Sequence, residues 1–360
     1  MVSMLDRSYL SDRLVRLAAI TIIGFFALIV MFADLIAPYD PSSQSRQEPS
    51  APPSNIRVRD QDGNLVRPFI YPRRLADPLR STYEELVDTP YPIALFVDGE
   101  HYSFWGLFTG KMRLFGIAGP GSAPRLNLLG TDQLGRDRFS RLISATRFSL
   151  IVSPVGAVFA CLIGICVGLA SGYGGRVVDT LLMGVADSMM ALPTLILILA
   201  ARAAFPLELP PISAAFLLIG IFALTGWAAI ARLTRSLVKA LREREFVVAA
   251  RASGISEARI LARHILPNAA PALIAQSLVI LPAFLLAEVA LSFLGIGVQE
   301  PQPSLGNMLA AAGDITQLAL RPVLLLSPAI VIFVFVLTIR LLIREQDDDD
   351  NLSIGNKARE

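Results

Sequence analysis

Apolar residues along this chain gather into six long runs, at 17–33, 148–170, 180–201, 212–231, 269–298 and 322–339. A bilayer core about 30 Å thick takes about 20 apolar residues in a helix. Each run therefore predicts a membrane span. Asp187 is the one charge in the third run and Glu288 the one charge in the fifth; the other four carry none. Pro193 and Pro282 each remove a helix hydrogen bond and are placed to kink spans three and five. The first run follows Arg7, Arg13 and Arg16. Residues 34–38 make a poor small-residue cleavage site, so this run reads as an uncleaved anchor.

Six spans put both termini on one side. The short segments on that side hold sixteen Lys and Arg, eight of them in the 232–268 loop, and the two short loops opposite hold only Arg202 and Arg321. Positive charge marks the cytoplasmic face, so both termini are expected in the cytoplasm. Residues 38–147 then form a large external segment. It opens with Pro38, Pro41, Pro49, Pro52 and Pro53, which reads as an extended linker. Its middle has short aromatic patches, such as residues 101–105, that leave strands or a small cap open. Near its end, Gly130 and Gly135 suit turns, and Asp132 or Asp137, flanking Arg136, could cap a helix. From Arg138 onward, Phe139, Leu142 and Ile143 recur at helical spacing, which predicts an interfacial amphipathic helix leading into span two.

The 232–268 loop is the most informative polar segment. Residues 236–253 are rich in helix formers and cations. Gly254 fits a left-handed position just past a helix end. Ser256 fits the next N-cap, with Glu257 in the first turn. Ile255 lies between them. The loop therefore predicts helix, tight turn, helix, with Pro267 at the entrance to span five. Small residues at Ala249, Ala250 and Ala252 predict a surface without bulky side chains that can sit deep in another protein's groove. The acidic run at 347–350 reads as solvated disorder.

Composition supports a membrane chain. Hydrophobic residues are 54% of 360, charged residues only 17%, and mean hydropathy is +0.57; soluble domains carry about 25% charge. Net charge is +2, which gives no sign of a nucleic-acid partner. Cys161 and Cys166 lie five apart, off a common helix face, and read as two buried thiols. Two histidines exclude a His-rich metal site. No phosphate-cradling loop is present, since Gly110-Lys111 is followed by Met112. Neither His-Glu-x-x-His nor Gly-x-Ser-x-Gly occurs, so no catalytic constellation is assigned.

The loop resembles the cytoplasmic motif of ABC importer permeases: Glu-Ala-Ala, three residues, Gly, nine residues, Ile, one residue, Leu-Pro. Ala249 and Ala250 are followed by three residues and Gly254; nine more lead to His264, Ile265, Leu266 and Pro267. Val248 replaces the Glu. His264 replaces the Ile, as is usual in the dipeptide/oligopeptide branch. Residues 129–137, 172–175, 291–299 and 303–309 are similar to the C-type permease subunit of that branch. The resemblance covers residues 10–38 and about 126–345.

What it implies is an all-α integral membrane protein. It would have six transmembrane helices, a cytoplasmic coupling-helix loop and a large external insertion between spans one and two. Its parts would be 1–37, an N-terminal segment and first span; 38–147, the periplasmic segment; 148–345, a five-helix core containing the 232–268 loop; and 346–360, an acidic cytoplasmic tail. The implied function is one half of a pathway for peptides or similar small solutes across a bacterial inner membrane. Partners would be a second, B-type permease, two ATPase subunits, an external substrate-binding protein and the lipid bilayer, with no nucleic acid. ATP and Mg would be bound by the ATPases and no cofactor by this chain. Ala249, Ala250, Gly254, Ile255, Ser256, His264 and Pro267 would couple to the ATPases. Asp187 and Glu288 are candidates for the pathway or gate, and Gly130, Asp132, Gly135, Arg136 and Asp137 form an external motif. The alternative is a proton-coupled secondary transporter working through Asp187 and Glu288.

Overall fold

The computed structural model describes residues 2–60, 63–78, 81–117, 123–311 and 322–357. The chain divides into two compact units. One comprises Met1–Gly24, Leu150–Gly297 and Ile332–Glu360; the other comprises Phe25–Ser149 and Val298–Val331.

The helices follow the apolar runs. In chain order the main ones are α1 (Val2–Ile36), α2 (Arg138–Tyr173), α3 (Arg176–Met190), α4 (Thr194–Ala203), α5 (Pro211–Arg242), α6 (Glu245–Ala252), α7 (Glu257–Ile260), α8 (Leu266–Phe293) and α9 (Leu305–Ala310). A π-helical turn, Leu261–Ile265, joins α7 to α8. A short turn, Pro322–Leu325, and a helix, Ser327–Lys357, complete the described chain. Among the described residues, four stretches are long and apolar enough to cross a bilayer: Arg13–Ile36, Arg138–Tyr173, Pro211–Arg242 and Glu257–Phe293.

The expected third span is two helices, α3 and α4, bent by 89°. Pro193 explains the break. It has no N–H to donate, and its ring drives Leu192 out of helical geometry. Pro282 does not end its helix; α8 runs on through Pro271 and Pro282. The sixth run is shortened: Pro322–Leu325 stops before Ser327, and the apolar part of the last helix is Ser327–Ile343. The expected disorder at 347–350 is not found, since the backbone there continues the last helix.

Within the helical unit, α2 and α5 pack closely. Gly156, Gly164, Gly168 and Gly172 lie on one face of α2, at multiples of four residues. A Cβ at Gly156 would meet Phe222, and at Gly164 it would meet Ile230 and the Trp227 carbonyl. At Gly168 it would meet Thr234, and at Gly172 Val238. Small residues let two backbones approach where no hydrophobic effect drives helices together. Beside this contact Met183 and Ala186 of α3 pack on Ala228 and Ala231 of α5. Phe222 and Phe284 stack with ring centroids 4.8 Å apart, joining α5 to α8. Cys161 is buried near Ser277, with Sγ 3.0 Å from its hydroxyl, whereas Cys166 is exposed, against expectation.

The second unit corrects the all-α expectation. It contains β1 (Arg57–Arg59), β2 (Leu65–Ile70), β3 (Arg73–Asp77), β4 (Thr82–Glu85), β5 (Tyr91–Phe104) and β6 (Phe108–Ile117). Strands pair antiparallel in a four-stranded sheet of order β1-β2-β5-β6 and a two-stranded β3-β4 sheet. The apolar runs here are too short for helices and are broken by Gly, Pro and Asp, so strand pairing is how the backbone is satisfied. The Pro/Ser-rich opening is no free linker. Ala51 is fully buried; its N–H donates to Thr131 Oγ1 (2.7 Å), and its carbonyl accepts from Thr131 N–H (3.0 Å). Buried Glu48 accepts from Asn127 Nδ2 (2.7 Å) and pairs with Arg73 (3.1 Å).

Candidate coupling loop and the 130–137 turn

The loop begins where α5 ends. Lys239 and Arg242 in its last turn suit the negative end of the helix dipole. Arg242 Nη1 donates to the Gly172 carbonyl (2.7 Å), and its guanidinium lies 4.7 Å from the Tyr173 ring centre. Asp179, in the first turn of α3, accepts from Arg235 Nη2 (2.7 Å), from Lys239 Nζ and from Ser171 Oγ. One carboxylate thus gathers two cations from successive turns of α5. Sequence reasoning passed over Asp179, and it placed Tyr173 in the 172–175 motif and Arg242 among the loop cations without foreseeing their partners. The only sequence signal of these contacts was an acid seven residues past Gly172 and cations four apart on α5.

The predicted 236–253 helix is two helices, because the chain turns at Glu243–Arg244 before α6. Val247 and Ala250 then face inward, into a core with Val238, Ile260 and Ile265. Past α6, Gly254 takes φ +78, the left-handed conformation expected. Its N–H donates to the Arg251 carbonyl (3.0 Å), and the Ile255 N–H donates to the Ala250 carbonyl (3.2 Å). Together these bonds make a Schellman motif, with Ile255 packed on the core. Ser256 occupies the N-cap of α7, but its hydroxyl makes no capping bond. Arg251 Nη2 donates to Glu257 Oε2 (3.2 Å), an ion pair that straddles the turn.

Pro267 does not open a separate helix. It lies at the second position of α8, directly after the π-helical turn. The extra residue of a π turn accommodates a proline that cannot donate to the preceding turn. Asn268 Nδ2 takes the His264 carbonyl (2.6 Å), and the His264 ring lies 6.3 Å from that of Phe246. The outward face of α6 differs from expectation. Ala250 is turned inward, while Phe246 (43% exposed) and Val248 (50%) stand outside beside Ala249, Ala252 and Gly254. Helical spacing explains this, since residues 247 and 250 share the buried stripe and 246, 248 and 249 do not. The outer face is therefore apolar and ridged rather than flat.

Asp187 and Glu288 each have their own partner. Asp187 on α3 is exposed, 3.4 Å from Arg232 Nη1 on α5. Glu288 on α8 is fully buried and accepts from Ser292 Oγ (2.9 Å).

The 130–137 turn is built in the other unit. Gly130 (φ +68) and Gly135 (φ +72) are both left-handed. Asp132 Oδ1 accepts from the Leu134 and Arg136 N–H groups, both at 2.9 Å, and its other oxygen pairs with Arg136 Nε (2.6 Å). Arg136 and Arg141 both clamp Glu300, at 2.6 and 2.8 Å. Asp137 is the N-cap of α2; Oδ2 accepts from Ser140 N–H and Oγ, each at 2.7 Å. Burial pushes the Asp137 carboxyl up to about 6, despite these bonds. The expected interfacial helix is the first turns of α2 itself, and Arg138 and Arg141 are buried rather than spread on a water-facing side. Asp132, Arg136, Arg141 and Glu300 line a cavity of about 290 Å³. Glu300, 164 residues from Arg136, was not foreseen as its partner.

Residues 164–347 match the family of binding-protein-dependent transport system inner membrane components. That is half of the chain and takes in α5 to α8 with the whole loop. The chain belongs to this family. It is a multi-pass inner-membrane permease subunit of an ATP-driven importer, a transport component rather than a catalyst. The permease is 38% identical over 213 residues to a probable peptide ABC transporter permease protein of Sinorhizobium fredii, covering 59% of this chain and 70% of that one. It is 37% identical over 208 residues to a dipeptide transport system permease protein of Alkalihalophilus pseudofirmus, covering 58% and 66%. The permease thus spans about two thirds of these relatives' length. The solved structure of an amino acid ABC transporter aligns at 17% identity with a TM-score of 0.44, covering 57% of this chain and 92% of that one. The proton-coupled alternative gains no support from these matches or from Asp187, which faces Arg232.

Proposed function

We propose that the permease moves peptides or similar small solutes. The names of its relatives support this substrate class. It would pair with a second, B-type permease and receive its solute from an external binding protein. Two ATPase subunits, holding ATP and Mg, would drive it. Six spans follow if the bent α3–α4 pair is one span and Ser327–Ile343 another. The sixteen-to-two cation bias then puts both termini and the 232–268 loop in the cytoplasm.

One observation carries the coupling role. The Schellman turn at Gly254 is closed by two backbone bonds, backed by a dry core and faced by exposed Phe246 and Val248. A rigid knob with an apolar face suits a groove on an ATPase. Ala249, Ala250, Ile255, Ser256, His264 and Pro267 shape it. Asp179 ties its base to α3, so a push on the knob reaches that helix directly. Asp187 and Glu288 are proposed for the pathway or its gate, and 130–137 for the external face.

Purification from native membranes in mild detergent tests the assembly, with mass spectrometry of what accompanies the chain. A second permease and P-loop ATPases are expected. Recovery of this chain alone, under conditions that keep a known importer intact, would contradict the reading.

A further inference from the structure

The β5–β6 hairpin is fastened to the end of α1 at two points. Arg113 on β6 is 2% exposed; its Nη1 donates to the carbonyls of Asp34 (2.6 Å) and Ala37 (2.9 Å). A helix end leaves such carbonyls without partners, and a cation there also suits the helix dipole. Nearer the tip, Trp105 Nε1 donates to the Met31 carbonyl (3.1 Å). Phe32 departs from helical geometry (φ −109, ψ 22), which loosens the ladder beside that carbonyl. Phe104 lies 6.2 Å from Phe32, ring to ring, and stacks on Phe108 at 5.0 Å.

These contacts fix the depth of the tip. Met31 is two residues before Ala33, where the uncharged run 17–33 of α1 ends at Asp34. At 1.5 Å per residue, the Trp105 indole is tied about 3 Å inside that end, just below the Asp34 charge. The tip is chemically suited to such a place. Residues 102–110 carry no charge. Leu107 is 80% exposed, with Phe108 and Trp105 exposed beside it, and the apolar surface continues onto exposed Phe25, Leu28 and Met31 of α1. Charge returns at Lys111, which pairs with Asp98 (2.6 Å), about 10 Å up the strand at about 3.3 Å per residue. Asp34 and Arg147 pair at the end of α1, with Arg147 5.9 Å from the Trp105 ring centre. A polar layer and an apolar tip thus stand at matching heights on the hairpin and on α1.

The turn itself points the same way. Trp105 (φ +51) and Gly106 (φ +74) are both left-handed, and the Leu107 N–H closes the turn on the Phe104 carbonyl (2.9 Å). This is the geometry of a type I′ turn, whose first central position is normally Asn, Asp or Gly. A tryptophan is held there against its backbone preference.

We propose that the hairpin tip, residues 104–108, is a membrane wedge. Its occupant is the lipid leaflet at the C-terminal end of α1, the outer leaflet on the orientation proposed above. Trp105 sits at headgroup level, where indoles concentrate, and Leu107 and Phe108 enter the acyl region. The wedge holds the β5–β6 hairpin down on the bilayer surface.

The chain has two tryptophans, Trp105 and Trp227. In full-length Trp227→Phe, Trp105 is the only tryptophan, and excitation at the red edge of indole absorption reads it apart from the tyrosines. Reconstitution into phosphatidylcholine vesicles brominated at shallow or deep acyl positions tests the wedge. Blue-shifted emission, strong quenching by shallow bromines, weaker quenching by deep ones and little quenching by aqueous iodide are expected. Iodide quenching without bromolipid quenching would put the tip in water and overturn the proposal. Protection from both quenchers would mean that a protein covers it, and overturns it equally. A nitroxide at Leu107→Cys, with Cys161 and Cys166 replaced by Ser, reads the same point independently. There the wedge expects collision with dissolved oxygen to exceed collision with a water-soluble nickel complex, and the reverse order refutes it.

Discussion

Gly254 and Gly135 share a backbone conformation and differ in their surroundings. Around Gly254 a new Cβ would meet open space, so alanine there bears only the left-handed penalty, about 1–2 kcal/mol. At Gly135 the Cβ would also run into the Ser45 carbonyl, and overpacking adds about 1–3 kcal/mol. Gly135→Ala should therefore lower the melting temperature of the purified chain clearly more than Gly254→Ala; equal shifts would refute the close contact. Both turns were legible from the chain, because a glycine between polar residues signals a turn locally. The Ser45 contact was not, since it spans 90 residues and leaves no local pattern.

Asp137 makes a second residue-scale prediction. Burial raises its carboxyl from 3.8 to about 6, so between those values the folded state holds more proton than the unfolded chain. Its contribution to stability therefore falls as pH rises from about 4 to about 6. Asp137→Asn keeps an acceptor for Ser140 and removes the titration. Relative to wild type, the variant should gain melting temperature between pH 4.5 and pH 7, as thermal scans across that window would read. A constant difference between the two proteins would sink the assignment.

At the level of elements, the close approach of α2 and α5 rests on a glycine face. Gly168→Leu would push against Thr234 and the Ala231 carbonyl, at a cost of about 1–3 kcal/mol or more. A lower yield of folded protein and a lower melting temperature are expected; an unchanged melting curve would contradict the packing. The helices themselves were largely readable, since 20-residue apolar runs admit few alternatives. Pro193 broke its span as its chemistry suggests. Pro282 did not, because a buried site inside a packed helix can absorb one lost hydrogen bond. The strands were only half legible. Their aromatic patches were visible, but pairing such as Phe104 with Phe108 depends on the turn between them. The ion clusters were least legible of all. Asp179 with Arg235 and Glu300 with Arg141 join elements whose relation no local pattern encodes.

For the molecule as a whole, the family match and the helical unit largely coincide, while the strands at 57–117 lie outside the match. The family match thus falls largely on the helices, and the strand-rich segment lies outside it. In the proposed mechanism, the Gly254 turn passes ATPase motion to the helices. Valine at that position should cost about 1–2 kcal/mol of turn geometry. That is roughly a tenfold loss of the properly docked state.

Peptide uptake by the assembled importer in proteoliposomes tests this most directly, with wild type and Gly254→Val compared at equal amounts of complex. Wild-type uptake should need ATP and survive collapse of the proton gradient, whereas Gly254→Val should assemble and transport roughly tenfold less. Normal uptake by Gly254→Val, or wild-type uptake that fails with the proton gradient at constant ATP, would contradict the account.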